Sequence, residues 1–385
     1  MRSNYKKIGD YIQKVNIRNV DLRATKLLGI NIDKFFMPSV ANVVGTDMSN
    51  YKIVKKGQFA CNRMHVGRDY RLPVALSDSD ESFLVSPAYD VFEVIDEELL
   101  LPEYLMMWFS RKEYDRNAWF YTDADVRGGL HWDAFCDMEI PIPDIDKQKA
   151  IVKEYNVLVD RIDLNNKLIK NLEETAQAIY KQWFVDFEFL DKNGKPYKSN
   201  GGEMVFCEEL EKEIPKGWEV KELGSICRLK YGSSLPTAKL LSSGYYVFGG
   251  NGIIGKFSSY IYKNPQVIIA CRGAASGKIN VSYPKSYVTN NSIVFENDNQ
   301  FEFKYLKYLS LNKSFEEYIT GSAQPQITID NIKNINITWP SDRIMTDFYK
   351  NIGGIDTFRY WKEMENRKNI KYKNVLLSRL SIIKK

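Results

Sequence analysis

The sequence predicts an α+β chain. Two similar mixed α/β domains are separated by two long antiparallel coiled-coil helices and related by a pseudo-twofold. Three observations lead there. A strand-and-turn segment occurs twice at a spacing near 200 residues, each copy runs into a long helical segment, and a turn-rich connector joins the halves.

The first copy covers 5–145 and the second 220–340. Lys7-Ile8-Gly9-Asp10-Tyr11-Ile12 parallels Glu222-Leu223-Gly224-Ser225-Ile226, and Val91-Phe92-Glu93 parallels Val294-Phe295-Glu296. Tyr104-Leu105 parallels Tyr305-Leu306. Leu130, Asp133, Ile140 and Pro143 then match Ile327, Asp330, Ile337 and Pro340 at one offset of 197. The offset drifts from 215 to 197 along the chain, as unequal loops produce. A unit this long is a duplicated domain and no solenoid repeat.

After Pro143 a helical segment carries an apolar seam. Ile151, Tyr155, Leu158, Ile162, Asn165, Ile169, Leu172, Ala176, Ile179 and Trp183 follow a 4-3 spacing, the signature of a coiled coil. Asn165 is its one polar member, a residue type that fixes register when buried. A helix over 146–187 reaches about 60 Å, which suits a spacer. The connector carries turn chemistry, Asp191-Lys192-Asn193-Gly194 and Ser199-Asn200-Gly201-Gly202. The second helix, 342–383, starts a seam with Ile344, Phe348, Ile355 and Phe358 and ends it with Tyr372, Leu376, Leu380 and Ile383. Lys362, Glu365 and Asn369 fill its middle, and Gly353-Gly354 weakens it by about 1 kcal/mol per glycine. A kink or a wet patch is expected there.

Composition bounds the function. The 385 residues are 44% hydrophobic and 27% charged, ordinary for a globular chain of two to three domains. The longest apolar runs, such as Gln266 to Cys271, are far short of the roughly 20 residues that span a bilayer. The first twenty residues hold no apolar signal region. A cytoplasmic chain is expected. Five scattered cysteines without a C-x-x-C read as buried thiols, against a disulfide framework or a zinc site. The two histidines, His65 and His131, sit in no metalloprotease or nucleophile-elbow motif.

The net charge is +5, unevenly spread. No acid lies between Glu222 and Glu296, where eight basic residues are interleaved with tyrosines. From Lys52 to Arg71 six basic residues face one acid, Asp69. Acid-free basic stretches suit a surface that follows a phosphate backbone. Gly250-Asn251-Gly252-Ile253-Ile254-Gly255 spells a dinucleotide fingerprint, but a strand pattern follows it where a helix is required. Gly273-Ala274-Ala275-Ser276-Gly277-Lys278 is a P-loop one residue short, with Ile279 where the magnesium-binding hydroxyl belongs. Both read better as tight turns beside a basic surface. No methyltransferase or nuclease signature is present.

Taken in order, Pro143-x-x-x-Lys147-Gln148-x-x-Ile151, the run Ile179-Tyr180-Lys181-Gln182-Trp183-Phe184-Val185-Asp186-Phe187, Ile214-Pro215-Lys216-Gly217-Trp218-Glu219, Arg272-Gly273-Ala274 and Ser322-Ala323-Gln324-Pro325-Gln326-Ile327 carry a resemblance. Over essentially its whole length the chain resembles the DNA specificity subunit of type I restriction-modification systems. The resemblance implies a non-catalytic reader of a bipartite DNA target. Residues 1–145 would be target recognition domain 1, 146–189 the central spacer helix, 190–217 the connector, 218–340 target recognition domain 2 and 341–385 the C-terminal spacer helix. Methyltransferase subunits would dock on the helices and restriction subunits would join through the complex. No cofactor is implied on this chain; S-adenosylmethionine, ATP and magnesium belong to the partner subunits. The competing readings are a stand-alone methyltransferase or nuclease with fused recognition units, and a coiled-coil scaffold without DNA binding. Arginine pairs with guanine and glutamine with adenine. On that chemistry Arg63, Arg68, Arg71 and Arg127 in the first copy, and Lys256, Arg272, Lys278, Gln324 and Gln326 in the second, are the candidate DNA contacts.

Overall fold

A computed structural model describes residues 5–39, 45–64, 66–122 and 128–382. The chain divides into two compact units, 1–166 with 363–385, and 167–362. The division falls inside both long helices, so each unit combines one strand-rich segment with half of each helix.

In the first unit the main strands are β1 (Tyr5–Lys7), β2 (Ile12–Val15), β3 (Phe59–Cys61), β4 (Val74–Leu76), β5 (Asp90–Val94) and β6 (Glu139–Pro141). Strands β2, β5, β3 and β4 form an antiparallel sheet in that order, and β1 pairs with β6 beside it. Helices α1 (Pro102–Phe109) and α2 (Lys112–Phe120) precede β6. Alternate aromatic positions build the core: Phe59 stacks on Phe92 at 4.9 Å, and Phe109 and Phe135 close around them. Helix α3 (Ile145–Phe184) follows. The Asp144 carboxylate accepts from the Lys147 amide at 2.9 Å, a side-chain N-cap. Gln148 is fully buried; it accepts from Leu101 N and donates to Leu99 O and Pro143 O, tying the helix start to the segment before α1.

The second unit repeats this plan with β7 (Glu219–Glu222), β8 (Arg228–Tyr231), β9 (Tyr245–Gly249), β10 (Gly252–Phe257), β11 (Val267–Ala270), β12 (Ile279–Val281), β13 (Ser292–Glu296) and β14 (Asn336–Trp339). Its sheet order is β8, β13, β11, β12, and β7 pairs with β14. The duplication holds to the register. Gln13 faces Glu93 in one ladder and Arg228 faces Glu296 in the other, the partners the sequence offsets name. Helix α4 (Gln300–Asn312) begins at Asn299, whose side chain accepts from Phe301 N and Glu302 N. Helix α5 (Asp342–Arg379) runs unbroken through Gly353-Gly354.

Within each unit the two helix halves pack together. Every α3 seam position is buried or half-buried. In the second unit Ala176, Tyr180, Trp183 and Phe184 meet Ile344, Met345, Phe348 and Ile352 in one core. In the first, Val152, Leu377 and Leu380 share a core, and Asn165 does lie buried. Its amide donates to Asn366 Oδ1 at 2.9 Å, while Asn366 donates to Asn166 Oδ1 at 2.8 Å.

The second seam needs correction. Ile355 and Leu376 are half-buried and Leu380 is buried, but Phe358 is 47% exposed and Tyr372 58%. The inward faces are Ile352–Asp356 and Asn366–Lys373–Leu377, one residue off the expected spacing. Asp356 is the cause in the second unit. It is buried and accepts from Lys307 Nζ at 2.5 Å, from Tyr308 OH at 2.8 Å and from Lys304 Nζ, which rotates Phe358 outward. Burial opposes the charge on Asp356, yet Lys307 and Lys304 hold its carboxyl far below the carboxylate range. Burial pushes Lys307 down to about 8 against the pull of Asp356. The expected wet patch is therefore an ion cluster and an asparagine pair. Ile383 lies outside the described residues.

Replacing Asn165 alone by leucine strands the Asn366 carbonyl and should cost about 1–3 kcal/mol. Replacing both Asn165 and Asn366 by leucine should recover most of that loss, read as urea midpoints of the two variants against the parent.

Candidate nucleic-acid interface

Strand β11 is buried along its length. Its end passes through buried Cys271 into exposed Arg272, and the chain turns over a single 3-10 turn, Gly273–Ala275, into β12. Gly273 has φ of +76°, a value glycine adopts freely. A second loop, Thr320–Gln326, is stitched to this tip. Gly273 N and Ser276 Oγ both donate to Pro325 O, at 2.9 and 2.8 Å, and Ile327 N donates to Cys271 O at 3.1 Å. Thr320 and Gln326 exchange two backbone bonds of 2.8 Å.

The result is a cleft of about 760 Å³ that brings Arg272, Gln324 and Gln326 together with Asn251 and Asn291. The side chains of Arg272, Gln324 and Gln326 are exposed and have no partner among the described residues. Lys278, across the tip, donates to Asn251 Oδ1 at 2.6 Å. One guanidinium fork and two amides, free and convergent, are the groups that read base edges. Lys256 lies further along β10, its ammonium 5.3 Å from the Tyr246 ring, and does not line this cleft. The sequence reading missed Asn251 and Asn291; the Asn-Gly dipeptide registered only as a turn.

The nucleotide-like motifs are accounted for by the same loops. Gly250-Asn251 is the turn of the β9–β10 hairpin, and Gly273 to Lys278 is the β11–β12 tip. Neither opens a helix of the kind that holds a pyrophosphate. Burial pushes the Cys61 and Cys227 thiols up to about 12, which leaves them protonated.

In the first unit the corresponding tip joins β3 to β4. Arg63 is the counterpart of Cys271, since Leu130 N donates to Arg63 O at 3.0 Å where Ile327 N donates to Cys271 O. Its side chain accordingly turns inward. Arg63 Nε donates to Asp90 at 2.6 Å, Nη1 donates to Leu130 O, and the guanidinium lies 5.6 Å from the Trp132 ring. Arg63, an expected DNA contact, is held here in an ion pair with Asp90. Arg68 and Arg71 are exposed, paired with Asp69 and Asp33 at 2.7 Å each. Exposed pairs of this kind hold weakly and can exchange for phosphate. Tyr70 between them is exposed and its ring lies 5.3 Å from Trp119. Arg127 lies outside the described residues. Among the described residues no helix is long and apolar enough to cross a membrane.

Residues 215–352 match the model of the family described as type I restriction modification DNA specificity domain. The chain is similar to type I restriction enzyme specificity subunits. It is 24% identical to the type I restriction enzyme HindI specificity subunit of Haemophilus influenzae, over 90% of this chain and 91% of that one. It is 26% identical to the MjaIX specificity subunit of Methanocaldococcus jannaschii, over 74% of this chain and 70% of the relative. The crystal structure of a type I S subunit from M. genitalium has the same fold, with a TM-score of 0.57 at 16% identity, covering 98% of this chain and 95% of that one. The family model falls on the unit that holds the Arg272 cleft.

Arg63→Ala should lower stability by about 1–3 kcal/mol, because it leaves the half-enclosed Asp90 with only the partly exposed Lys14, at 3.1 Å, as its cation. Arg68→Ala with Arg71→Ala should change stability by less than about 0.5 kcal/mol per site and flatten the salt dependence of DNA binding by about two phosphate contacts. Urea titration and DNA binding at several salt concentrations separate the two outcomes.

Proposed function

We propose that the chain is the non-catalytic subunit that reads a bipartite DNA target and directs partner methyltransferase and restriction subunits to it. The observation that carries this reading is the Arg272–Gln324–Gln326 cleft, set on a duplicated scaffold. One unit reads one half of the target, and the second unit reads the other. The target recognition domains are 1–145 and 218–340, joined through 190–217, and the spacer helices 146–189 and 341–385 set the gap. Half-sites on one face of B-DNA recur every 34–36 Å or so, so helix length is translated into base-pair spacing. Methyltransferase subunits dock on the helices and supply S-adenosylmethionine chemistry; restriction subunits bring ATP and magnesium. Arg272, Gln324 and Gln326 contact base edges. Lys278, Lys256, Arg68 and Arg71 contact phosphates, and Arg127, at the offset of Gln324, is their companion in the first unit. The chain works in the cytoplasm, where its target lies.

Mapping methylated adenines in cells that carry the methyltransferase partner, with and without this chain, tests the reading. The expected result is one bipartite motif of fixed gap that disappears with the chain. Unchanged methylation with an active partner would overturn it. Arg272→Ala should relax one base position in one half-site by about 1–3 kcal/mol, seen as new methylated variants differing at that base alone.

A further inference from the structure

The ion cluster around Asp356 belongs to one unit only. In the second unit α4 presents Lys304, Lys307 and Tyr308, and all three bond the Asp356 carboxylate of α5. Tyr104-Leu105 is the counterpart of Tyr305-Leu306, so the first unit has Glu103, Met106 and Met107 at the same three positions. The offset of 197 that brings Pro340 onto Pro143 places Val159 opposite Asp356. The corresponding positions therefore hold an exposed glutamate, two methionines and a half-buried valine in the first unit, and the bonded cluster around Asp356 in the second. The architecture does not require the ions.

Their position shows what they hold. Helix α4 packs against β11 and β12, the strands that carry the reading tip. The last turn of α4 and the residues after it, Ser310 to Glu316, form one wall of a cleft whose opposite wall is Ala274 to Ile279. A turn or slide of α4 along α5 is transmitted to that tip. An apolar layer tolerates such slippage, whereas a carboxylate bonded by three directional donors has one register. Polar groups in an apolar seam set register in this way.

We propose that Asp356, acting through Lys304, Lys307 and Tyr308, is a positioning residue for specificity: it fixes α4 so that the second unit's tip presents Arg272 and its neighbours to DNA in one geometry. This rests on the proposed function and adds a determinant remote from the DNA. The cluster serves fidelity at the half-site that the second unit reads, and leaves the other half-site untouched.

The test uses the full chain assembled with its methyltransferase subunits. One variant, Lys307→Met with Tyr308→Met and Asp356→Val, imports the first unit's Met106, Met107 and Val159 at the three buried positions. A second, Asp356→Glu, keeps the carboxylate. Methylation maps and thermal unfolding are recorded for each. The expected triple variant melts no lower than the parent, methylates single-base relatives of one half-site at least tenfold more often, and keeps the other half-site and its fidelity. Asp356→Glu keeps most of the parent's discrimination. An unchanged motif in a folded triple variant overturns the inference. So does equal loss at both half-sites with a lowered melting temperature, the mark of a purely structural cluster. If the parent chain itself imposes no bipartite motif, the proposed function fails first and is distinguished by that control.

Discussion

The first strand of each copy pairs with its last, and this short ladder fixes where everything else can be. Tyr5 faces Pro141 and Lys7 faces Glu139 in one unit; Glu219 faces Trp339 and Glu222 faces Asn336 in the other. The chain must return to its own beginning before it enters the helix. A buried tyrosine from the preceding helix seals each closure, Tyr104 on Pro141 O and Tyr305 on Thr338 O. The segment just before the last strand is then held at both ends. One end is the ladder; the other is the bond from Leu130 N to Arg63 O, or from Ile327 N to Cys271 O. The Thr320–Gln326 loop has no freedom to leave the β11–β12 tip, so the free side chains of the cleft stand on rigid backbone. Binding through groups already in place avoids the ordering cost that loose loops carry.

Buried polar groups in this chain cluster where register matters. Asn165 donates to Asn366 across the helix pair of the first unit, and Asn366 donates back to Asn166 and to Ile162 O. Asp356 gathers three donors in the second, and Arg63 and Asp90 lock a strand end to its neighbour. Apolar packing of equal volume gives similar stability at such sites. What it does not give is a unique alignment, because a leucine seam slides by a turn at little cost while an unpaired carboxylate or amide costs several times as much as a lost contact. A chain whose task is to hold side chains at a set spacing gains more from alignment than from additional stability.

Much of this was legible in the sequence, for a physical reason. Duplicated ladders keep apolar alternation and turn residues, so Val91-Phe92-Glu93 and Val294-Phe295-Glu296 remain recognisable when the loops between them do not. The α3 seam was legible because each position is apolar except Asn165. The α5 seam was not, because its inward face at Asp356 is charged and hydrophobic spacing reports only apolar contacts. Phe358 satisfied the spacing and points outward, since three donors on α4 pull the neighbouring turn. The ion pair of Arg63 was not legible for a related reason. A basic run shows where charge accumulates along the chain, whereas the face each charge takes depends on strand register. Only the match between Arg63 and Cys271 reveals that one lies inside. Arg272 is exposed because it sits one residue beyond that buried position.

In the proposed reading, the two tips let one scaffold hold two different readers. In the second unit the tip is Gly273-Ala274-Ala275-Ser276-Gly277, short and without bulk, with Arg272 and Lys278 at its ends and Gln324 and Gln326 beside it. In the first the matching stretch carries Arg68, Tyr70 and Arg71, with Trp119 against Tyr70. The backbone bonds that hold them correspond: Gly67 N to Gly128 O at 2.7 Å, Gly273 N to Pro325 O at 2.9 Å. Bulk and hydrogen-bonding pattern therefore change while the anchor stays. In the proposed reading, this separation lets each half-site change without disturbing the ladders or the helix seam. It also explains why the duplication is clear in strands and faint in loops. Residues in the ladders have partners that packing fixes, whereas the tip residues are exposed and make few contacts with the rest of the chain.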